Sequence, residues 1–386
     1  KREGKDPDEQ KIAAPKITPI VTNRDSQSEF LSEIQTSQVQ PIEPVFVDYK
    51  KDMSQFEAQP GIDVLYKKNE TNDIFTLIYV FNTGTENDPA LNLAFNYLSY
   101  LGTDKMTAEE IASEMYDIAC SFYMNAGANQ SSIQITGLSE NMGKAMEIVE
   151  GLIAGAKPDE AILENCKADM LKSRADAKLN QSRCFGALQR YLFYGGDFIR
   201  RTTLTDPALQ ALTSEQLLAK IGGLMGKQHE VLYYGPQKEA EVKSALAEHH
   251  KVAADLQPLE KKFSTLLPTD ANKVVLAQYD AKQLYYLQFS NRGEKFDVAA
   301  DPEITLYNEY FGGGMNTIVF QEMREARGLA YTAWATLATP SNANGDYSYY
   351  AFIATQNDKM QKAVEAFDDI INNMPESEKA FGIAKE

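Results

Sequence analysis

Two side chains that can hydrogen-bond a peptide, Arg324 and Tyr331, lie seven residues apart in the last quarter of the sequence. A guanidinium and a phenol both donate hydrogen bonds to a carbonyl oxygen, including one that gains negative charge in a tetrahedral transition state. By spacing alone, the same pair fits an ordinary core helix with a solvated arginine and a packed tyrosine. The elements around the pair must therefore decide between substrate binding and packing.

Those elements are a run of three glycines, Gly312 to Gly314, and an amphipathic segment after it. Glycine permits φ > 0 and close approach of another chain, so the run predicts a hinge or a contact surface. The spacing of apolar residues that follows predicts a helix of two to three turns, which Gly328 can terminate. An unbroken helix places Arg324 and Tyr331 on one face roughly 10 Å apart. If Gly328 ends the helix, only the tertiary structure sets that distance.

The other residue types that commonly do chemistry form no recognisable motif. The three cysteines (Cys120, Cys166 and Cys184) are an odd number without C-x-x-C spacing, which predicts buried free thiols rather than disulfides or a zinc knuckle. The sequence has no G-x-S-x-G elbow. A serine or cysteine hydrolase is therefore not supported.

The three histidines are also poor candidates for a metal site. His229 is predicted at the end of a strand, with no second ligand at workable spacing. His249 and His250 are adjacent on a predicted helix, where neighbouring residues point to different faces, and we expect both on the surface. The chain is therefore predicted to bind no metal.

Composition limits the class of protein. A length of 386 residues suggests two or three domains, and a net charge of −17 argues against a nucleic-acid partner, which requires a concentrated basic surface. We find neither a membrane-spanning apolar run nor an N-terminal signal region. The sequence predicts a soluble protein and leaves a periplasmic or cytoplasmic location open.

The order of predicted elements indicates an α+β fold that occurs twice. Residues 1–44 are polar with scattered prolines and predict a linker or arm, 45–259 a first domain, and 260–386 a second. Asp301-Pro302 repeats the earlier Asp88-Pro89, and similar matches recur at an offset of roughly 209 to 218 residues. The second copy stops where the first begins its long helix. We therefore expect the second domain to be incomplete at its C-terminus.

Several elements of the first domain are predicted individually. Val45 to Val47 and the run from Ile74 to Phe81 are predicted as strands, the latter as a central one. Capping boxes are predicted at Thr107 and Thr213, and one long helix is predicted from Pro158 to about Tyr194.

The segment from Phe311 to Tyr331, FGGGMNTIVFQEMREARGLAY, resembles the second-domain signature of the insulinase (pitrilysin) family of zinc metallopeptidases. The resemblance covers about residues 45–386. It implies a protein built from homologous halves, each of two duplicated α+β domains. The repeat within this chain agrees with that architecture.

In that family, one half carries the zinc motif H-x-x-E-H on the first helix of its first domain. Two histidines at i and i+4 share a helical face, and the glutamate between them polarises the attacking water. Here Leu93 and Tyr97 occupy the histidine positions and Asn96 the glutamate position. The resemblance thus implies a degenerate motif, no metal ligand and no catalytic residue in this chain, with zinc in a partner half.

The chain resembles the non-metal half, whose second domain supplies an arginine and a tyrosine, seven apart, that bind the substrate backbone near the zinc. Arg324 and Tyr331 match that pair, whereas Arg327 has no such match. The resemblance implies peptide hydrolysis in a chamber formed with an H-x-x-E-H-bearing half, which is either a separate subunit or part of the same polypeptide. The alternative is a catalytically inert structural or binding subunit of the same family.

Overall fold

A computed structural model describes residues 28–40, 42–259 and 263–386, which fall into two units, residues 1–48 and 49–386. In the first unit, helix α1 spans Glu29–Thr36 and begins at Ser28, whose hydroxyl accepts a hydrogen bond from the Leu31 amide. The strand predicted at Val45 to Val47 is wrong. These residues are exposed and irregular, and the first strand begins at Ser54.

The predicted α+β fold class is confirmed. We call residues 54–259 the first lobe and residues 263–386 the second lobe. In chain order, the first lobe contains β1 Ser54–Gln59, β2 Ile62–Lys68, β3 Ile74–Phe81, α2 Leu91–Leu98, α3 Ala108–Asp117, β4 Cys120–Ala126, β5 Ser131–Leu138, α4 Met142–Gly155, α5 Glu160–Lys178, α6 Gln181–Thr202, α7 Asp206–Gln210, α8 Ser214–Met225, β6 His229–Gly235 and α9 Glu239–His249.

The strands of the first lobe form one sheet in the order β1-β2-β6-β3-β5-β4 among the residues that the structure describes. All neighbouring pairs are antiparallel except β2 and β6, which are parallel. As predicted, β3 is central, and its alternate residues Phe75, Leu77, Tyr79 and Phe81 are buried. Burying large apolar side chains of this kind contributes about 1.5–3 kcal/mol each, so β3 anchors the helices to the sheet.

Local sequence signals set several helix ends. Thr107 and Thr213 both form the predicted capping boxes, with Glu110 and Gln216 respectively. The single helix predicted from Pro158 to about Tyr194 is wrong, because Asn180 interrupts it: its side chain accepts a hydrogen bond from the Arg183 amide and starts α6.

The second lobe has its own sheet and core. Its elements are β7 Gln283–Ser290, α10 Asp301–Phe311, α11 Ile318–Phe320, a π-helical turn Gln321–Ala326, β8 Thr332–Ala338, β9 Ser348–Gln356, α12 Met360–Asn372 and α13 Glu378–Lys385. Its described strands pair in the order β7-β9-β8, which corresponds to β3-β5-β4 of the first lobe. The two lobes thus share this part of their sheet topology.

One pair of tyrosines shows how closely the two lobes correspond. The Tyr97 hydroxyl on α2 accepts a hydrogen bond from the amide of Asp159, the N-cap of α5. The Tyr310 hydroxyl on α10 accepts one from the amide of Ser377, the N-cap of α13. The same helix-to-helix contact therefore occurs in both lobes, although the domain boundaries drawn from the sequence stay a prediction.

The lobes also contact each other through α6. The Phe193 ring lies 4.5 Å from the Phe289 ring on β7, and the Phe185 ring lies 5.5 Å from the Tyr285 ring, both between centroids. The Phe193 carbonyl accepts a hydrogen bond from the amide of Leu267, next to the kink of α6 at Gly195. None of the helices in the described ranges is long and apolar enough to span a membrane.

Candidate functional site

The structure brings Arg324 and Tyr331 into contact. The guanidinium carbon of Arg324 lies 5.1 Å from the centroid of the Tyr331 ring and 4.9 Å from that of the Phe320 ring. Cation–π contacts at exposed sites contribute about 0.5–1 kcal/mol each. The Arg324 side chain is 40% exposed and Tyr331 is 70% exposed. Both therefore face solvent from one surface patch, which we call the Arg/Tyr pair.

The pair is close because the helix does not continue between its members. The helix α11 passes into the π-helical turn, and Gly328 then takes the left-handed conformation with φ 55°. The amides of Gly328 and Leu329 close the turn by donating to the carbonyls of Arg324 and Met323. Of the two geometries considered from the sequence, the structure adopts the one in which Gly328 ends the helix.

The segment between Arg324 and Tyr331 is fixed by the hydrophobic core of the second lobe and by two side chains outside the segment. Val319 and Met323 are completely buried, which fixes the turn that carries Arg324. The buried hydroxyl of Thr355 donates to the Leu329 carbonyl at 2.5 Å, and Lys359 Nζ donates to the Gly328 carbonyl at 3.2 Å. Of the residues that shape this segment, only Gly328 could be identified from the sequence, as a residue able to end the helix. The hydrogen bonds from Thr355 and Lys359 could not be predicted from it.

The glycine run is a contact surface at its first position. The Gly312 carbonyl accepts a hydrogen bond from the Ala335 amide of β8 at 3.3 Å. A Cβ atom on Gly312 would lie 2.1 Å from the Ala335 carbonyl oxygen, whereas one on Gly314 would meet nothing within 4 Å. Of the two roles expected for the run, the structure supports the contact surface at Gly312.

Arg327 has a different environment from Arg324. Its Nη2 lies 3.2 Å from Asp369 Oδ2 and its Nε 3.4 Å from Glu322 Oε2. Hydrogen bonds from Asn373 and then from Arg327 lower the pKa of the Asp369 carboxyl. Arg327 therefore joins the π-helical turn to α12 through ion pairs at the surface.

The three degenerate zinc-motif positions lie on α2. Leu93 and Tyr97 are buried against other helices, while Asn96 faces solvent on the opposite side. The Tyr97 hydroxyl donates to Ser214 Oγ at 2.9 Å, and that hydroxyl in turn donates to Glu160 Oε1 at 2.6 Å. A buried chain of hydrogen bonds between α2, α5 and α8 therefore occupies the hydroxyl of Tyr97.

Replacing Tyr97 with phenylalanine should reduce the free energy of unfolding by about 1–3 kcal/mol, because the Asp159 amide and the buried Ser214 hydroxyl each lose a partner. Denaturant unfolding monitored by circular dichroism measures this change. Tyr100→Phe is the matched control, because Tyr100 is more than half exposed and its substitution should change stability by under about 0.5 kcal/mol. Equal effects of the two substitutions would show that the hydroxyl chain has no structural role.

Within the described ranges, no three or more His, Cys, Asp or Glu side chains are arranged to hold a metal ion. Two of the three motif positions carry side chains that cannot bind zinc in this setting, one aliphatic and one a fully hydrogen-bonded phenol. The residues present at the motif therefore do not fit a zinc ion.

Part of the chain is similar in sequence to known proteins. Residues 228–385 match a family model described as the peptidase M16 inactive domain. A protein from Streptomyces coelicolor named an uncharacterized zinc protease is 22% identical over 266 residues, which is 64% of this chain. The chain spans 56% of the length of that relative.

Solved structures show a similar fold. The peptidase M16 inactive domain from Pseudomonas fluorescens matches with a TM-score of 0.67 and 16% identity, covering 86% of this chain and 82% of that one. The periplasmic protease PqqL from Escherichia coli matches with a TM-score of 0.69 and 13% identity, covering 96% of this chain and 41% of PqqL. At these identities, the matches establish the fold alone.

Proposed function

We propose, from the match of residues 228–385 to the family model described as the peptidase M16 inactive domain, that this chain is the substrate-binding half of a zinc metalloendopeptidase. The family match confirms the resemblance to the insulinase family that the sequence predicts. A second half with the H-x-x-E-H motif supplies the zinc and the general base. The two halves enclose a chamber in which peptides are hydrolysed, and they are separate subunits or parts of one polypeptide.

The observation that carries this proposal is the exposed contact between Arg324 and Tyr331. The rings of Phe320 and Tyr331 both contact the guanidinium and restrict its position, while its nearest carboxylate contact is Nε to Glu325 Oε1 at 3.6 Å. A guanidinium has five N–H donors, and a phenol has one O–H donor. The pair can therefore present several donors to one peptide carbonyl from a fixed position.

The chemistry assigned to the pair is binding and stabilisation of charge. Arg324 and Tyr331 donate hydrogen bonds to the substrate backbone, and these bonds strengthen as the carbonyl oxygen becomes negative in the tetrahedral transition state. The acid–base and metal chemistry belongs to the other half, because the motif positions Leu93, Asn96 and Tyr97 supply neither a ligand nor a base. The duplicated-domain boundaries near residue 260 belong to the same proposal.

The isolated chain should show no stoichiometric zinc and no peptidase activity, and addition of its H-x-x-E-H half should restore cleavage. Metal content is measured by mass spectrometry after dialysis, and activity with a quenched fluorescent peptide. A chelator should abolish the restored activity, because the metal resides in the added half. One tightly bound zinc per isolated chain would overturn the proposal.

An inert structural subunit of the same family is the alternative. A scaffold has no need for an exposed Arg324 and Tyr331 in contact, so the geometry of the pair favours a role in substrate binding. Substitution of Arg324 in the assembled complex separates the two functions.

A further inference from the structure

A buried cluster of ionisable side chains lies in the first lobe, away from the Arg/Tyr pair. It consists of Glu150 on α4, His229 at the start of β6 and His250 directly after α9. Only 4% of His229 and 6% of His250 are exposed, and 11% of the Glu150 side chain. The surface position predicted for His250 is therefore wrong, because α9 packs on α4 and the sheet in the tertiary structure.

Three hydrogen bonds connect the cluster in a line. His229 Nδ1 lies 2.8 Å from the Lys227 carbonyl oxygen, and His229 Nε2 lies 2.9 Å from His250 Nε2. His250 Nδ1 lies 2.5 Å from Glu150 Oε1. The first two distances lie in the usual range for hydrogen bonds, and the contact between His250 Nδ1 and Glu150 Oε1 is shorter than usual.

The line cannot be completed with neutral histidines and an ionised Glu150. The Lys227 carbonyl only accepts, so His229 Nδ1 carries a proton. An ionised Glu150 also only accepts, so His250 Nδ1 carries a proton. Two neutral imidazoles would then have bare lone pairs facing each other across 2.9 Å. One further proton is needed between the two Nε2 atoms. Protonating Glu150 instead gives the same total number of bound protons in the line, so the count does not change.

We propose that Glu150, His250 and His229 form a buried proton-binding site, which holds one proton more than two neutral imidazoles and a carboxylate would. With that proton the cluster has no net charge, which makes its burial tolerable. The proton resides on His250, beside the carboxylate of Glu150, and His229 accepts the hydrogen bond. Burial lowers the pKa of His229 to about 4, in keeping with a neutral His229.

The remaining titratable groups around the cluster do not supply this proton. The Tyr79 ring on β3 packs against His250 at an angle, with 4.2 Å between ring centroids, and burial and then Glu150 raise the pKa of Tyr79 well above the ordinary value. Its hydroxyl therefore stays protonated. The imidazole of His249 lies against Gly143 on α4, where a Cβ on the glycine would be 2.8 Å from His249 Nε2. His249 is thus outside the line.

The site lies where the chain leaves the first lobe for the second. The Gln228 amide donates to the Gln257 carbonyl at 2.9 Å, and the Gln257 amide donates to the Gly226 carbonyl at 3.0 Å. Gln228 directly precedes His229, so the hydrogen bonds that hold the departing chain are adjacent to the proton-binding site. Loss of the proton would bring two lone pairs face to face and separate His229 from His250, which would loosen this attachment.

The proposal gives a definite dependence of stability on pH. Both histidines of the unfolded chain bind protons below about pH 6.5 and release them above it. From about pH 4 to 6.5 the unfolded state holds two of these protons against one in the native site, so stability rises with pH. Above about pH 6.5 the native site still holds one against none, so stability falls. The site therefore contributes a maximum near pH 6.5, with a slope of about tenfold in the unfolding constant per pH unit on either side.

Nitrogen NMR of histidine-labelled chain tests the site directly. At about pH 7.5, where an exposed imidazole is mostly neutral, His250 should have both ring nitrogens protonated, and His229 only Nδ1. A neutral His250 at that pH would overturn the proposal. The measurement uses the unmodified chain and does not depend on any variant folding.

A second test compares Glu150→Gln with the matched control His249→Gln. The glutamine amide can donate to His250 Nδ1, so in Glu150→Gln the line closes with two neutral imidazoles and no extra proton. Above about pH 6.5 the unfolding constant of Glu150→Gln should therefore stay level, whereas that of the parent chain rises about tenfold per pH unit. His249→Gln, one residue from His250 but outside the line, should change the unfolding constant by less than about threefold. Similar effects of the two substitutions would contradict the proposal.

Discussion

Replacing Arg324 with alanine should reduce the kcat/KM of the proposed two-half peptidase, once assembled, by about 10²-fold or more, as expected for loss of a donor to a developing oxyanion. Without the guanidinium, Tyr331 also loses its cation–π partner, which lies 5.1 Å from its ring. The chain should still fold, because Arg324 is exposed and its carboxylate neighbour Glu325 forms only a loose contact. Steady-state kinetics with a quenched fluorescent peptide measures the change.

Arg327→Ala is the matched control for this prediction. Arg327 lies three residues further along and carries the same charge, but its guanidinium pairs with Glu322 and Asp369. Exposed ion pairs of this kind contribute about 0.2–1 kcal/mol to stability, and the substitution should leave kcat/KM within about threefold of the parent. Tyr331→Phe removes the hydroxyl but keeps the ring beside Arg324, and so measures the phenol separately.

The result for Arg324 also decides between the proposed function and its alternative. If Arg324→Ala and Arg327→Ala have equal, small effects on turnover while the complex stays assembled, the chain serves as a scaffold. A loss confined to Arg324→Ala supports substrate binding. Arg324→Lys keeps the charge but not the planar set of donors, so partial activity in that variant would show that donor geometry contributes beyond charge.

Local signals in the sequence predicted the parts of the fold that local interactions determine. The capping boxes at Thr107 and Thr213 depend on residues three positions apart, and both form as predicted. The interruption at Asn180 is also local, yet the apolar pattern on either side concealed it. The strand predicted at Val45 to Val47 was wrong because strand formation depends on non-local pairing rather than on a local signal. A strand exists only with a neighbour to pair with, and three apolar residues do not determine one.

At the candidate site, too, the sequence predicted the residues but not the tertiary contacts between them. The sequence supplied the identity of Arg324 and Tyr331 and the glycine able to end the helix between them, but not the contact itself. That contact depends on Val319 and Met323 being buried in the second core. The proton-binding site was missed because His229, His250 and Glu150 come from a strand, a helix end and another helix, and Glu150 and His250 are 100 positions apart in the sequence. No spacing rule along the chain connects them.

The substitution Gly312→Ala should strongly destabilise the second lobe. The φ of Gly312 is −140°, which any residue can adopt, so the expected effect is steric rather than conformational. A Cβ at this position would lie 2.1 Å from the Ala335 oxygen and 2.7 Å from its carbonyl carbon. Since these are backbone atoms of β8, the strand itself must move away from α10.

Movement of β8 has further costs. The hydrogen bond from the Ala335 amide to the Gly312 carbonyl would be lost, and the paired contacts of Asn308 with the backbone of Leu337 would be strained. Overpacking a core costs about 1–3 kcal/mol and occasionally more. With a strand backbone as the obstacle, we expect at least about 3 kcal/mol for Gly312→Ala.

Gly314→Ala is the matched control, because a Cβ there meets nothing within 4 Å and should change stability by under about 1 kcal/mol. Trp334 is the single tryptophan of the chain and directly precedes Ala335 on β8. Its fluorescence during denaturant unfolding therefore reports on the strand that Gly312→Ala displaces. Equal unfolding midpoints for the two glycine variants would contradict the contact role of Gly312. Because β8 begins directly after Tyr331, displacement of this strand should also disturb the Arg/Tyr pair, and Gly312→Ala should lower peptide turnover even at temperatures where the chain stays folded.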